Sequence, residues 1–292
     1  MPTVDSSHAG DAPPRILVFD SGLGGLSVLR EIKKSRPDCQ LIYCSDNQAF
    51  PYGPQSEAGL IERVDRVLTH LVQCLAPDLI VIACNTASTV ALPVLRKSMN
   101  VPIVGVVPAI KPAAKLAQTR YIGLLATPGT VKRAYTDKLI EAFGRGVQAN
   151  PLTWIKVGSS ALVTLAEEHA VGNTAAIHER VQGILEPFSD TPAGQLDTIV
   201  LACTHFPLVV DVLKTALPRV KNWVDSGQAI ANRVDAWLTE GGRPKAPTIA
   251  REHFAVLTQA LGANDGTIAP QAVQAMLLAE GLAMIRVIDV PQ

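Results

Sequence analysis

"PDLIVIACNTAST", Pro77–Thr89, and "LDTIVLACTHFPL", Leu196–Leu208, are two versions of one unit. In each, an acidic residue precedes a short apolar run that ends at a cysteine followed by polar residues. Asp78, Ile80, Val81, Ala83 and Cys84 recur as Asp197, Ile199, Val200, Ala202 and Cys203, each 119 positions later. Such a run predicts a strand buried on both faces, the kind parallel sheets contain. Outward from these two units the chain alternates strands and helices. "RILVFD", Arg15–Asp20, predicts the first strand; the turn "SGLGG" leads to a helix carrying Leu26, Leu29 and Ile32 that stops before Pro37. "QLIYCSD" is a strand, "NQAFPYGPQS" a loop, and Leu60, Ile61, Val64, Val67, Leu68, Leu71 and Leu75 recur at helical spacing. A helix with Val90, Leu92 and Leu95 follows Cys84, and "VPIVGVV" predicts a further strand.

From about Ala109 the pattern restarts: "RYIGLLATPGT" repeats the arrangement of "RILVFDSGLGG". A helix over residues 135–143, a strand near 152–157 and two more helices lead to the strand that ends at Cys203. The alternation predicts an α/β fold of two similar lobes with mainly parallel sheets, related by a pseudo-two-fold axis, with the site in the cleft between them. After "NWVDSG" the chain carries a helix to about Leu238 and a link, "GGRPKAP". A strand over 253–258, a helix near 270–280 and a strand over 284–288 close it. This tail is expected to complete the first lobe's sheet. The expected division is a disordered leader over 1–14, a first lobe from 15–108 plus 223–292, and a second lobe over 109–222.

The chain has 292 residues, 48% of them hydrophobic and 18% charged, which fits a large buried core and argues against extended disorder. Lysine plus arginine equals aspartate plus glutamate at 26 each, so nothing predicts direct contact with nucleic acid. No apolar run approaches the ~18 residues needed to span a bilayer, and "MPTVDSSHAGDAPP" has neither the basic start nor the apolar segment of a secretory signal. A cytoplasmic protein with five reduced cysteines is expected.

In open parallel sheets, ligands bind beyond the carboxyl ends of the strands, where Asp20, Cys84, Thr127 and Cys203 are expected. If the lobes face each other, the two cysteines flank whatever lies between. Opposed thiols suit one reaction well: removing a proton from one face of a carbon and returning one to the other. Each sulfur should lie near a helix N-terminus, which favours a thiolate. His205 is a proton partner for Cys203, and Asp20 is placed to serve Cys84. Packing alone gives no reason for polar Asn85, Thr86, Thr204 and His205 to follow both cysteines, whereas Cys39, Cys44 and Cys74 have no such company and read as structural. His70, His169, His178 and His253, in helical or strand contexts, read as ordinary.

In family order, "VFDSGLGGLSVL", "SDNQAFPYG", "ACNTAS", "ATPGT" and "ACTHFPL" resemble the glutamate racemase family of the aspartate/glutamate racemase superfamily. The resemblance runs from Arg15 to about Asp225 and more loosely beyond. It implies two α/β domains with the site between them, and cofactor-independent interconversion of L- and D-glutamate for peptidoglycan. On the matching positions, it implies Cys84 as base for the D-enantiomer and Cys203 as base for the L-enantiomer. Asp20 is then the carboxylate assisting the first cysteine, and His205 the imidazole assisting the second. The pairs Asp20–Ser21, Tyr52–Gly53, Asn85–Thr86 and Thr204–His205 fall on substrate-binding positions. Glu167 aligns with a glutamate near the second cysteine, although Ser159-Ser160-Ala161 stands where the family often has Cys-Pro-Leu. Family members are often dimers, so a second copy of the chain joins the small-molecule substrate as an expected partner. The short leader gives no ground to expect effector control.

Other readings stay open on sequence. A racemase of aspartate would share the thiols and differ in the pocket. A zinc hydrolase would use Cys84, Cys203, His205 and Asp20, but close ligand spacing is confined to Cys203–His205. In a phosphatase using Asp20 as nucleophile, Gly22 would stand where a second acid is expected. A non-catalytic protein could bind an acidic amino acid, or a partner protein, in the same cleft.

Overall fold

A computed structural model describes residues 12–145, 151–191, 195–247, 252–262 and 269–290; most of the expected leader lies outside them. Strands β1 (Arg15–Asp20), β2 (Gln40–Ser45), β3 (Leu79–Ile82), β4 (Ile103–Gly105), β9 (His253–Leu257) and β10 (Leu282–Val287) form one sheet, in the order β10-β9-β2-β1-β3-β4. Strands β5 (Tyr121–Ala126), β6 (Thr153–Gly158), β7 (Leu196–Ala202) and β8 (Asn222–Val224) form the other, in the order β6-β5-β7-β8. Every pairing in both sheets is parallel. The four-strand order β2-β1-β3-β4 is thus repeated as β6-β5-β7-β8, and the two cysteines follow the equivalent strands β3 and β7. The tail adds β9 and β10 beside β2.

Helices cover both faces of each sheet, which is why the strands read as unbroken apolar runs. On the first sheet, α1 (Leu26–Ser35) and α10 (Gly227–Glu240) pack one face and α2 (Glu57–Leu75) and α3 (Asn85–Ser98) the other. The spacing of α2 explains its orientation: Leu60, Val64, Val67, Leu68, Leu71 and Leu75 form one buried stripe. Ser56 caps its start by accepting from Gly59 N at 3.2 Å, and Ala76 ends it at φ 43°. Cutting Leu68 to alanine would cost about 2–5 kcal/mol. The second sheet is covered by α7 (Ala161–Ala170), α8 (Ile177–Ser189) and α9 (Val210–Ala216) on one face, with α4 (Ile110–Leu116) and α6 (Ala134–Phe143) on the other. The short α5 (Pro128–Lys132) follows β5.

Two differences from the sequence reading have local causes. "VPIVGVV" yields only Ile103–Gly105 as strand, bounded by Pro102 and Pro108, which have no N–H to donate. The divide expected between residues 222 and 223 falls inside β8, which pairs with β7. The chain crosses between the sheets twice, after β4 and after β8. The crossings lie together: the Ser226 hydroxyl donates to the Val107 carbonyl at 2.6 Å.

Candidate active site

Parallel strands in register end together, and this sets the site. Phe19 pairs with Ile82 across β1 and β3, and Leu125 and Ala126 pair with Leu201 and Ala202 across β5 and β7. Asp20 and Cys84 therefore leave the first sheet at one edge, and Thr127 and Cys203 leave the second at its equivalent edge. These edges face each other. A small, nearly closed cavity of about 10 Å³ is lined from both sides by Ser21, Tyr52, Gly53, Cys84, Thr86, Thr127, Ser160, Cys203 and His205, with Pro51, Pro54 and Val163. Cys84 and Cys203 are both 6% exposed, so both sulfurs are nearly sealed from water yet share that space.

The other expected residues stand around it. Asn85, Thr204 and Cys203 border a second small space behind the cavity, with Ser27, Asp225 and Ser226. Asn85 is buried, and its Oδ1 has no hydrogen-bond partner. Such an acceptor is costly unless a ligand donor completes it. Asp20 is fully buried; Gly22 N donates to its Oδ1 at 2.9 Å and the Thr204 hydroxyl to its Oδ2 at 3.0 Å. Its side-chain bond thus reaches across the cleft and not to the Cys84 sulfur. Glu167 lies on α7, outside the cavity lining, with its Oε1 2.9 Å from His205 Nε2.

The two thiols have different neighbours. Cys84 occupies the N-cap of α3, a 14-residue helix, with the Ser21 hydroxyl 4.0 Å from its sulfur. Burial pushes the Cys84 thiol strongly up, and negative charge on Asp20 and on Cys203 adds to this. The Ala87 N–H and the Ser21 hydroxyl pull the other way. Cys203 is followed not by the expected α-helix start but by a 3-10 turn, Phe206–Val209, because Pro207 removes a donor where the helix would begin. The helix α9 starts only at Val210. Within reach of Cys203 is an imidazole: His205 Nδ1 is 3.8 Å from its sulfur. Burial alone would lower the His205 pKa, but its hydrogen bonds to Cys203 and Glu167 hold it well above the ordinary imidazole range. Burial also raises Asp20, against the opposing pull of His205, Gly22 N–H and the Thr204 hydroxyl.

The glycines of "SGLGG" let the first lobe pack tightly against Glu167 and His205. Leu23 N donates to Glu167 Oε1 at 2.6 Å, and Gly24 N lies 3.3 Å from His205 Nε2. A Cβ at Gly22 would collide with Glu167 and Phe50, and one at Gly24 with the His205 ring. On the far side of the cavity the Thr86 and Thr127 hydroxyls are 3.2 Å apart, and Arg133 Nη1 donates to Thr86 O at 3.2 Å and to Thr89 Oγ1 at 2.7 Å. Sequence reading did not place Ser160 or Arg133 at the site. Ser160 lies two residues past the end of β6, so the strand-end rule finds it once β6 is placed. Nothing near Arg133 in sequence marks it as a bridge between lobes. Of the cysteines read as structural, Cys39 and Cys44 are buried in the core, whereas Cys74 is exposed on α2, its sulfur 3.6 Å from His70 Nε2. Among the described residues, no three His, Cys, Asp or Glu side chains stand together as a metal-holding group.

The Asp/Glu/Hydantoin racemase family matches the chain over residues 25–234. The glutamate racemase of Pasteurella multocida is 48% identical over 227 residues, covering 78% of this chain and 81% of that protein. The glutamate racemase of Salmonella paratyphi A is 50% identical over 233 residues, 80% of each. Among solved structures, Escherichia coli glutamate racemase in complex with L-glutamate and the activator UDP-MurNAc-Ala superposes with a TM-score of 0.84. It is 41% identical, with 96% of this chain and 100% of that one covered.

Proposed function

The chain belongs to the Asp/Glu/Hydantoin racemase family, and from that premise we propose that it interconverts L- and D-glutamate by proton transfer between two cysteines. The observation that carries this reading is one buried cavity with a thiol from each sheet in its wall. With D-glutamate bound, Cys84 as thiolate removes the Cα proton, and the Cys203 thiol delivers its own proton to the opposite face. The resulting Cys203 thiolate and Cys84 thiol are the pair needed for L-glutamate, so turnover in one direction prepares the site for the other. His205, 3.8 Å from Cys203, is in reach to exchange a proton with it, and Glu167 orients the imidazole through Nε2. Asp20 acts on Cys84 through space and holds the loop end by its bond to Thr204.

The substrate's carboxylates meet few cations here. Thr86, Thr127, Ser21 and Ser160 supply hydroxyls, and the start of α3 presents free backbone N–H groups. Fixed dipoles of this sort stabilise charge that develops on the α-carboxylate as the proton leaves, which lets the reaction run without pyridoxal phosphate in this reading. Unpartnered Asn85 Oδ1 is an acceptor for the ammonium. D-Glutamate made in the cytoplasm would enter peptidoglycan. No described helix is long and apolar enough to cross a membrane. The test is isotopic: in deuterium oxide, purified protein should incorporate deuterium at Cα of both enantiomers of glutamate and racemise each. Faster turnover of aspartate than of glutamate would reassign the substrate, and binding without exchange would reject the enzyme reading.

A second site is favoured by a cavity of ≈560 Å³ beside the two crossings, lined by Arg96, Lys111 and Arg233 together with Phe143 and Trp237. The E. coli relative was solved with an activator that is a UDP-sugar. Three cations beside two aromatic faces suit a diphosphate carrying rings. Such a compound is expected to raise turnover, and Lys111→Ala to remove the response while leaving basal activity intact.

A further inference from the structure

We infer that Asp46 is a positioning residue for the racemisation reaction: it fixes, through Tyr52, the wall of the substrate cavity contributed by the loop between β2 and α2. This rests on the reading of the cavity as the glutamate site. Pro51, Tyr52, Gly53 and Pro54 are consecutive and all line the cavity. They belong to a loop whose regular structure is confined to a 3-10 turn, Asn47–Ala49. A wall made from loop has no sheet or helix ladder to hold it, so its position depends on side-chain bonds.

Those bonds converge on Asp46, fully buried just past the end of β2. Its Oδ2 accepts from the Tyr52 hydroxyl at 2.5 Å and from Arg63 Nε at 2.9 Å. Its Oδ1 accepts from Arg63 Nη2 at 2.6 Å and from the Thr258 hydroxyl at 2.6 Å. The Arg63 contact is two-pronged, the geometry that fixes a carboxylate plane as well as its charge. Asp46 N also donates to Asp20 O at 2.9 Å, which ties the hub to the end of β1. Four elements therefore meet on one carboxylate: β2, the cavity loop, α2 through Arg63 and the end of β9 through Thr258. Thr258 further accepts from Gln48 N at 3.1 Å.

The Tyr52 hydroxyl is thus committed to Asp46. Its ring, 1% exposed, packs against Phe19 with centroids 6.4 Å apart, and the residue lines the cavity. Tyr52 thus transmits the position of Asp46 to the Tyr52–Gly53 segment, and no proton of Asp46 takes part in the chemistry. The tail contributes through the same hub. Although β9 lies far along the chain from the cysteines, the residue just past its end steadies the substrate wall.

The test compares Tyr52→Phe, Asp46→Asn, the double variant and Thr258→Val in steady-state kinetics with both enantiomers, alongside thermal melting. Tyr52→Phe removes only the hydroxyl that reaches Asp46. Expected are a rise in KM of about tenfold for both enantiomers, kcat changed less than threefold, and a double variant no worse than the worse single one. Thr258→Val should raise KM by a smaller factor in the same direction. Because the enantiomers have equal free energies, kcat/KM must fall equally in both directions. The inference is overturned if melting temperature drops while KM stays unchanged, if kcat falls at constant KM, or if the two single effects multiply in the double variant. Should Asp46→Asn fail to fold, Tyr52→Phe and Thr258→Val decide alone, since both keep the Asp46–Arg63 pair. Absence of glutamate turnover in the unsubstituted protein would instead count against the glutamate reading itself.

Discussion

Cys84 and Cys203 follow equivalent strands in equivalent sheets, yet their surroundings differ. On the Cys84 side the cysteine is the N-cap residue of a 14-residue helix, and a serine hydroxyl lies 4.0 Å from its sulfur. On the Cys203 side a four-residue 3-10 turn replaces the helix start, and an imidazole–carboxylate relay stands in its place. On the first side a buried carboxylate, Asp20, and the start of a helix act on the sulfur; on the second an imidazole stands beside it. The repeat therefore specifies where each sulfur is delivered, while the residues that tune it are chosen separately. Racemisation tolerates this asymmetry because the overall equilibrium constant is one, so the two sides need only be competent, not identical.

Five substitutions break or sharpen that comparison. Removing one sulfur has the largest effect: Cys84→Ala and Cys203→Ala should each lower racemisation by about 10³-fold or more. Each should keep one-sided exchange, deuterium entering only L-glutamate in Cys84→Ala and only D-glutamate in Cys203→Ala, as read by mass spectrometry and chiral chromatography. Equal labelling of both enantiomers by either variant would contradict the two-sided site. Next, His205→Asn should lower kcat by about 10²-fold and abolish an alkaline limb of the pH–rate profile. His205 is held above its ordinary range, so the imidazolium persists through neutrality and is lost as pH rises through the raised value. Its contribution to stability has the same sign: full below about pH 6.5, fading as pH climbs through that value.

Gly24→Ala tests whether the glycine loop must touch the relay. The added Cβ meets the His205 ring, which Glu167 holds in place, and so costs about 1–3 kcal/mol. A rise in KM with a parallel fall in kcat is expected, while an unchanged enzyme would show that the loop yields freely. The smallest effect is Asp20→Asn, which separates stability from function. Burial raises the Asp20 pKa, so the folded state loses stability as pH rises from the ordinary carboxyl range through the raised value. Asparagine keeps an acceptor for Gly22 N and removes the buried charge. Its melting temperature at neutral pH should rise by about 2 °C or more while turnover falls. A fall in melting temperature would mean that the charge stabilises the fold.

Much of this was legible in the sequence because it follows from strand ends. Apolar runs of four to six residues place Asp20, Cys84, Thr127 and Cys203 at carboxyl edges, and a parallel register then gathers them. The repeat marks the two lobes, and the observed strand orders repeat it. What could not be read were contacts across the cleft. Asp20 is expected to serve Cys84, and its charge acts on that thiol, but its bond to Thr204 could not be read, because the packing of two lobes is a tertiary event with no local pattern. Arg133 and Asp46 escape notice for the same reason, since their partners lie in other elements. The 3-10 turn after Cys203 did have a local signal in Pro207, and the likeness of the two cysteine units masked it.

The paired crossings, joined by the Ser226–Val107 bond, carry a mechanical consequence. Two connections side by side restrict how one lobe can turn or slide against the other far more than a single connection would. Cys203 and Ser226 border the same small space, and Val107 and Ser226 both line the larger cavity between Arg96 and Trp237. A molecule lodged there would touch both connections at once.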